Sequence, residues 1–184
     1  LIARYLGPEK FGVLSYAISL VSLFSIAGHV GLSGLVVREL VKYPGEDQEI
    51  MGTSFVLKGL GYLLGLILVL TFVLITETTQ SDEFRIMLIL SFSLLFQPFN
   101  VIDFWLQSRL AAKSIMIAKT TSLIIASILK VILVLVGAHL IYFALANTIQ
   151  VILTAIMLIL FYRYKSGLSL KTWSFSSTKA KGLL

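Results

Sequence analysis

The chain has 184 residues, of which 58% are hydrophobic and 13% charged, about half the charged share of ~25% usual in a globular domain. With a mean hydropathy of +0.97, a water-soluble fold of this length has no way to hide so much apolar surface, so lipid must be its solvent. The absence of cysteine excludes a disulfide framework, a thiolate metal site and a cysteine nucleophile within these residues, and the net charge of +6 sits at the ends of apolar runs, as membrane orientation requires, rather than in a nucleic-acid-binding patch.

In chain order, the first predicted span covers residues 11–33. A polar loop over 34–49 follows, with Arg38, Glu39, Lys42, Pro44, Gly45, Glu46, Asp47 and Glu49. The second span is 50–76, succeeded by a short acidic loop holding Glu77, Asp82 and Glu83. The third, 84–106, contains Pro98, which is expected to kink it. A basic turn with Gln107, Arg109 and Lys113 leads to the fourth span, 114–136. Gly137 and Ala138 then form a tight hairpin into the fifth, 139–162. Each run has the ~20 residues that cross ~30 Å of hydrocarbon. The expected fold is all-α: a single polytopic transmembrane bundle over 1–184. Leu1 is not an initiator Met, Leu1-Ile2-Ala3 lacks a charged signal region, and the basic tail 163–184 ends in Gly182-Leu183-Leu184, read as leading to a next span. The chain is therefore expected to be part of a longer one. In the tail, Trp173 suits either a surface-lying helix or a solvated loop.

Basic residues set the expected orientation. Arg4, Lys10 and Arg85 fall on one side; Arg38, Lys42, Arg109, Lys113, Arg163, Lys165, Lys171, Lys179 and Lys181 fall on the other, which is therefore expected to be cytoplasmic.

Helical spacing gathers the polar residues of every span onto one stripe. These are Gly12, Ser15, Ser19, Ser22, His29 and Ser33 in the first; Ser54, Lys58, Gly61, Tyr62 and Gly65 in the second; Ser93, Gln97, Asn100, Asp103 and Gln107 in the third; Lys119, Ser122 and Lys130 in the fourth; and Asn147, Gln150 and Thr154 in the fifth. Small residues in such stripes serve as packing surfaces, as Gly61-x-x-x-Gly65 would, or line a hydrated cavity. The charged positions are more telling, because an ion in hydrocarbon costs at least ~2.5 kcal/mol and must face a cavity, pair or snorkel. Lys119 and Lys130 are each compatible with snorkelling. Asp103 is compatible with a structural ion pair near Gln107 and Arg109, and His29 with a simple interhelical bond. Three of these four buried charges are cationic, which suits an anionic passenger such as a phosphate or pyrophosphate. No phosphate loop, HExxH, GxSxG or His cluster is present, so neither catalysis nor a metal or other cofactor is expected.

Three segments carry a family resemblance. Arg4-Tyr5-Leu6-Gly7-Pro8-Glu9-Lys10-Phe11-Gly12-Val13-Leu14-Ser15-Tyr16 resembles the loop and start of the second helix of bacterial O-antigen and capsule repeat-unit flippases, members of the multidrug/oligosaccharidyl-lipid/polysaccharide exporter superfamily. Gly31 to Leu40, followed by Gly52 to Lys58, looks like their next junction. Leu94-Leu95-Phe96-Gln97-Pro98-Phe99-Asn100-Val101-Ile102-Asp103-Phe104-Trp105-Leu106-Gln107-Ser108 resembles their fourth helix, with Leu106 where a second Phe is common. The resemblance runs nearly end to end and implies helices two to six of a longer transporter. It implies a protein of the inner membrane that moves undecaprenyl-diphosphate-linked oligosaccharide to the outer leaflet. Two bundles would rock around a cationic cavity, and coupling to an H+ or Na+ gradient is compatible with it. In that cavity Lys58, Lys119 and Lys130 would supply countercharge, Gln97, Asn100, Asn147 and Gln150 would bond sugar hydroxyls, and Asp103 would be the buried acid. A multidrug exporter of the same superfamily, which would need a more acidic or aromatic cavity, and a membrane enzyme of polysaccharide assembly are the rival readings.

Overall fold

The computed structural model describes residues 2–29, 31–76 and 81–183. Among them there are helices and turns but no strand. The helices are α1 (Ile2–His29), α2 (Leu32–Lys42), α3 (Asp47–Thr76), α4 (Asp82–Phe92), α5 (Val101–Ser108), α6 (Ala112–Val136), α7 (Leu140–Ser166) and α8 (Ser177–Leu183). A 3-10 segment, Ser93–Asn100, joins α4 to α5, and a 3-10 turn, Leu170–Thr172, lies in the tail. Five stretches are long and apolar enough to cross a membrane: Arg4–Lys42, Asp47–Thr76, Asp82–Ser108, Ala112–Val136 and Leu140–Ser166. The protein is thus an all-α polytopic bundle, as its apolar runs require: only a helix satisfies every backbone polar group within its own segment in lipid.

Several details depart from the sequence reading. The segment expected as a loop over 34–49 is largely helix: α2 buries Leu32, Val36 and Leu40 on one face. That apolar i, i+4, i+8 spacing, beneath the conspicuous charges Arg38, Glu39 and Lys42, is what makes it helical. Gly31 (φ 62°) makes the turn between α1 and α2, using the left-handed backbone that glycine adopts without steric cost. Helix α1 begins earlier than expected and breaks at Gly7 (φ 77°), with Pro8 opening its long part, a position where the missing proline N–H is not needed. Asp82 and Glu83 are not loop residues but the first turn of α4, where Ser81 caps the helix by accepting from the Phe84 N–H at 3.1 Å. Glu77 lies outside the described residues. Pro98 does disturb its span, spreading the effect over the whole 3-10 segment rather than one kink, because it supplies no N–H and its ring crowds the preceding turn. The tail is neither a lone surface helix nor a free loop. It folds back on α3, with the Ser174 N–H donating to the Gln48 carbonyl at 3.3 Å and the Ser176 N–H to Thr53 Oγ1 at 3.0 Å. Trp173 points inward and donates from Nε1 to the Tyr162 hydroxyl at 3.0 Å. At its far end Lys179 pairs with Glu46, a hydrogen bond that raises the ammonium above its ordinary range, and lies over the Tyr43 ring.

The buried core falls into two clusters. One, toward the end that carries α2 and the tail, centres on Leu40, Ile50, Ile102, Leu106 and Tyr162. The other, toward the opposite end, centres on Tyr62, Val69, Met87 and Phe143. Helices α1 and α3 cross closely because glycine faces glycine: a Cβ at Gly61 would overlap Ala27 O and Gly28 Cα, one at Gly65 would overlap Phe24 O, and one at Gly28 would overlap the Tyr62 ring. The outward side of α6 is aliphatic, with Ile124, Ile128, Ile132 and Leu135 exposed, which is the face a lipid-contacting helix presents.

The close crossing gives a direct prediction. Gly61→Ala and Gly65→Ala, which over-pack the α1–α3 contact, are each expected to cost about 1–3 kcal/mol and to lower the thermal midpoint of the purified protein. Gly59→Ala, on the same helix but with nothing within 4 Å of its added Cβ, is expected to leave the midpoint unchanged.

Candidate functional site

The polar stripes of the spans resolve into two places. The first is a cavity of about 190 Å³ between α1, the α4/3-10 span and α7. Its polar lining is Ser22 and Ser25 from α1, Ser93 and Gln97 from the 3-10 segment, and Asn147 and Gln150 from α7. Gln150 is ten residues into α7, about 15 Å from its start at 1.5 Å per residue, which is near the middle of a ~30 Å apolar layer. The local geometry leaves acceptor capacity facing the cavity. Ser25 donates to the Ser22 carbonyl at 2.6 Å and Ser93 to the Leu90 carbonyl at 2.6 Å, so each hydroxyl proton is engaged within its own helix while oxygen lone pairs remain. Asn100 donates from Nδ2 to Gln97 Oε1 at 2.7 Å, orienting the Gln97 amide. Ser93 and Gln97, four residues apart in the 3-10 segment that contains Pro98, both border the hollow.

Lys130 stands beside this hollow and donates to Asn147 Oδ1 at 2.8 Å, while Asn147 Nδ2 donates to the Phe143 carbonyl at 3.0 Å. The lysine therefore fixes the Asn147 amide rather than reaching for headgroups.

The second place lies further along the same span, where Asp103 follows Gln97 by six residues. Lys58 of α3 and Asp103 of α5 are the charged residues buried among the described ones, at 3% and 7% exposure. Asp103 accepts from Gln107 Nε2 at 3.3 Å and pairs with Lys119 of α6, whose side chain remains half exposed. Lys58 directs its ammonium over the Phe104 ring, 4.5 Å from the centroid. Arg109, expected near Asp103, instead pairs with Asp47 at 2.6 Å; the same carboxylate oxygen accepts from Trp105 Nε1 at 3.0 Å. Trp105 in turn packs edge-on against Tyr162, with centroids 4.9 Å apart.

The eight candidate residues are thus divided. Gln97, Asn147 and Gln150 line the midplane cavity, with Asn100 and Lys130 bonded to its lining, while Lys58, Asp103 and Lys119 form the separate charged group. The three lysines do not converge: Lys119 and Lys130 are eleven residues apart on one helix, about 16 Å of axial rise. His29 places its Nδ1 3.1 Å from the Ser25 carbonyl of its own helix and meets the Tyr62 ring of α3 edge-on, with centroids 6.0 Å apart. Ser25 was absent from the sequence stripes although its i, i+3 spacing from Ser22 was a readable sign. The Asp47–Trp105–Arg109 group had no local sign, since its partners are about sixty positions apart in sequence.

A family model described as "Polysaccharide biosynthesis protein" matches residues 1–181. The chain belongs to that family. No curated protein and no solved structure matches it. The chain is thus a multi-pass membrane member of a polysaccharide biosynthesis family, with amides and hydroxyls on the wall of its midplane cavity and the Lys130 ammonium bonded behind Asn147.

The two arginine contacts at the same end of this family member separate by environment. Arg109→Met leaves the Asp47 carboxylate, one oxygen of which is already buried without a partner, with a single donor, and is expected to cost about 1–3 kcal/mol. Arg38→Met removes only an exposed 3.7 Å contact to Glu39, worth ~0–1 kcal/mol. Thermal melts of the two purified variants should therefore differ clearly, with Arg109→Met the lower.

Proposed function

We propose that the protein is a flippase for lipid-linked oligosaccharide, moving diphosphate-linked polysaccharide repeat units from the cytoplasmic to the outer leaflet of the inner membrane, and that it is a transporter rather than an enzyme. The observation that carries this reading is the hollow at the middle of otherwise aliphatic spans, where Ser22, Ser25, Ser93, Gln97, Asn147 and Gln150 bring polar groups together among Ile, Val and Leu side chains. Sugar hydroxyls each donate and accept, and neutral amides and hydroxyls match both roles without the strong pull of an ion that would hold the passenger in place. Membership of a polysaccharide biosynthesis family supports a saccharide as cargo.

In this mechanism the sugar traverses the neutral hollow while the prenyl chain stays in the bilayer, because its transfer out of hydrocarbon is strongly unfavourable. The diphosphate is met by cations, for which Lys58 and Lys119 are the candidates. The concentration of Arg38, Lys42, Arg109, Lys113, Arg163 and Lys165 at one end of the bundle supports a cytoplasmic assignment for that end. A drug exporter would favour an acidic or aromatic cavity, and the lining is neither.

The reading is tested in cells whose only copy of the full-length gene carries Gln97→Leu together with Gln150→Leu. Surface polysaccharide at matched protein level is expected to fall at least tenfold, the equivalent of about 1.4 kcal/mol in the limiting step. Undiminished surface polysaccharide would remove the midplane hollow from the transport route.

A further inference from the structure

The charged group at Asp103 has a balance that the rest of the bundle does not explain. Two lysines from two helices meet α5 at adjacent residues, Lys119 of α6 on Asp103 and Lys58 of α3 over Phe104, so the group holds two cations and a single carboxylate. The partner of Asp103 is also the less expected one. Lys58 is the buried lysine, yet the bond is made by Lys119, whose side chain is 52% exposed. The Lys58 ammonium rests on the Phe104 ring and makes no hydrogen bond or ion pair among the described residues, although an ammonium carries three donors. Four residues earlier on the same face of α3, the Ser54 hydroxyl is fully buried and also without a partner. Two adjacent buried groups able to donate to oxygen are therefore unspent, while the carboxylate beside them is held by a lysine from the opposite helix.

We infer that Asp103 is an internal stand-in for the anionic group of the cargo: it occupies Lys119 when the protein is empty and gives the lysine up when a diphosphate arrives at Lys58, Ser54 and Lys119. Two like cations close together in a low-dielectric bundle repel one another and are costly. The carboxylate removes that cost in the empty state. It also competes with the bound diphosphate, which keeps affinity low enough for release at the far side. The half-exposed side of Lys119 is the approach to the group, since Lys58 and Asp103 are largely buried. This inference takes the identity of the anion from the flippase reading above, but the role of Asp103 is separable from it.

The test uses the purified full-length protein and farnesyl diphosphate as probe, with farnesol as the uncharged control. Wild-type protein is expected to bind farnesyl diphosphate and not farnesol. Asp103→Asn is expected to bind farnesyl diphosphate at least tenfold more tightly, and Lys58→Gln at least tenfold more weakly. Unchanged or weaker binding by Asp103→Asn, with wild-type binding intact, overturns the stand-in role and leaves the flippase reading standing. Failure of the wild type to distinguish farnesyl diphosphate from farnesol overturns both. Where Asp103→Asn does not yield folded protein, Lys119→Gln is compared with the Lys119→Gln/Asp103→Asn double variant, which restores the charge balance. Tighter binding by the double variant supports the inference, and equal or weaker binding overturns it.

Discussion

A charge or hydrogen-bonding group placed in hydrocarbon must find a partner, and that single constraint organises the bundle. The backbone obeys it by being helical throughout the spans, where each segment satisfies its own amides. The side chains obey it by turning toward one another. Asp103 collects Gln107 and Lys119, Lys130 holds Asn147, and Thr148 reaches across from α7 to the Ile89 carbonyl at 2.9 Å. Aliphatic residues are left to the outside, where Ile124, Ile128 and Ile132 lie exposed on α6. What remains after these pairings is the small neutral hollow at the midplane and the surplus cation beside Asp103. Under the proposed function, those two remainders are where a passenger would bind.

Close packing gives these pairings their geometry. Gly61 and Gly65 bring α3 onto α1 at backbone distance, which places the α1 serines beside the α4 and α7 spans. Pro98 lies in the 3-10 segment whose Ser93 and Gln97 border the cavity, and the chain then returns to α-helix with Asp103 buried. At the end bearing α2, the tail and the Asp47–Arg109–Trp105 group fasten α3, α5 and α7 through Trp173, Tyr162 and Trp105, whose rings follow one another at 5.6 and 4.9 Å. This end is stiffened by bonds between distant parts of the chain, and Gly52 is required where the Ser174 backbone lies directly on α3.

The all-α bundle and its five spans were legible in the sequence because apolar runs of the right length have no other stable arrangement in lipid. Pro98 and the Gly61/Gly65 pair were legible for the same local reason: each acts through its own backbone. Helix α2 was not, because its eleven residues carry Arg38, Glu39 and Lys42 on the surface and its buried Leu32, Val36 and Leu40 are only three. The structure sets Gln97, Asn147 and Gln150 of the polar stripes around one hollow, whereas a shared stripe does not say which neighbouring helix each residue meets. That is why Lys119 and Lys130 shared a stripe yet serve separate places. Pair identities were equally hidden: a sequence shows that Asp103 needs a cation without showing whether Arg109, Lys58 or Lys119 supplies it.

The central claim is that the Gln150 and Ser93 side chains meet water in the middle of the membrane while the outer face of α6 meets lipid. Cysteine is absent from these residues, so each substitution adds the single thiol among them. Gln150→Cys, Ser93→Cys and Ile128→Cys are placed singly in the full-length protein in native membranes, and their rates of reaction with a charged, membrane-impermeant thiol reagent are compared. The account predicts that Gln150→Cys and Ser93→Cys react at least tenfold faster than Ile128→Cys. Equal rates at all three positions would mean that the hollow is dry, and would contradict it.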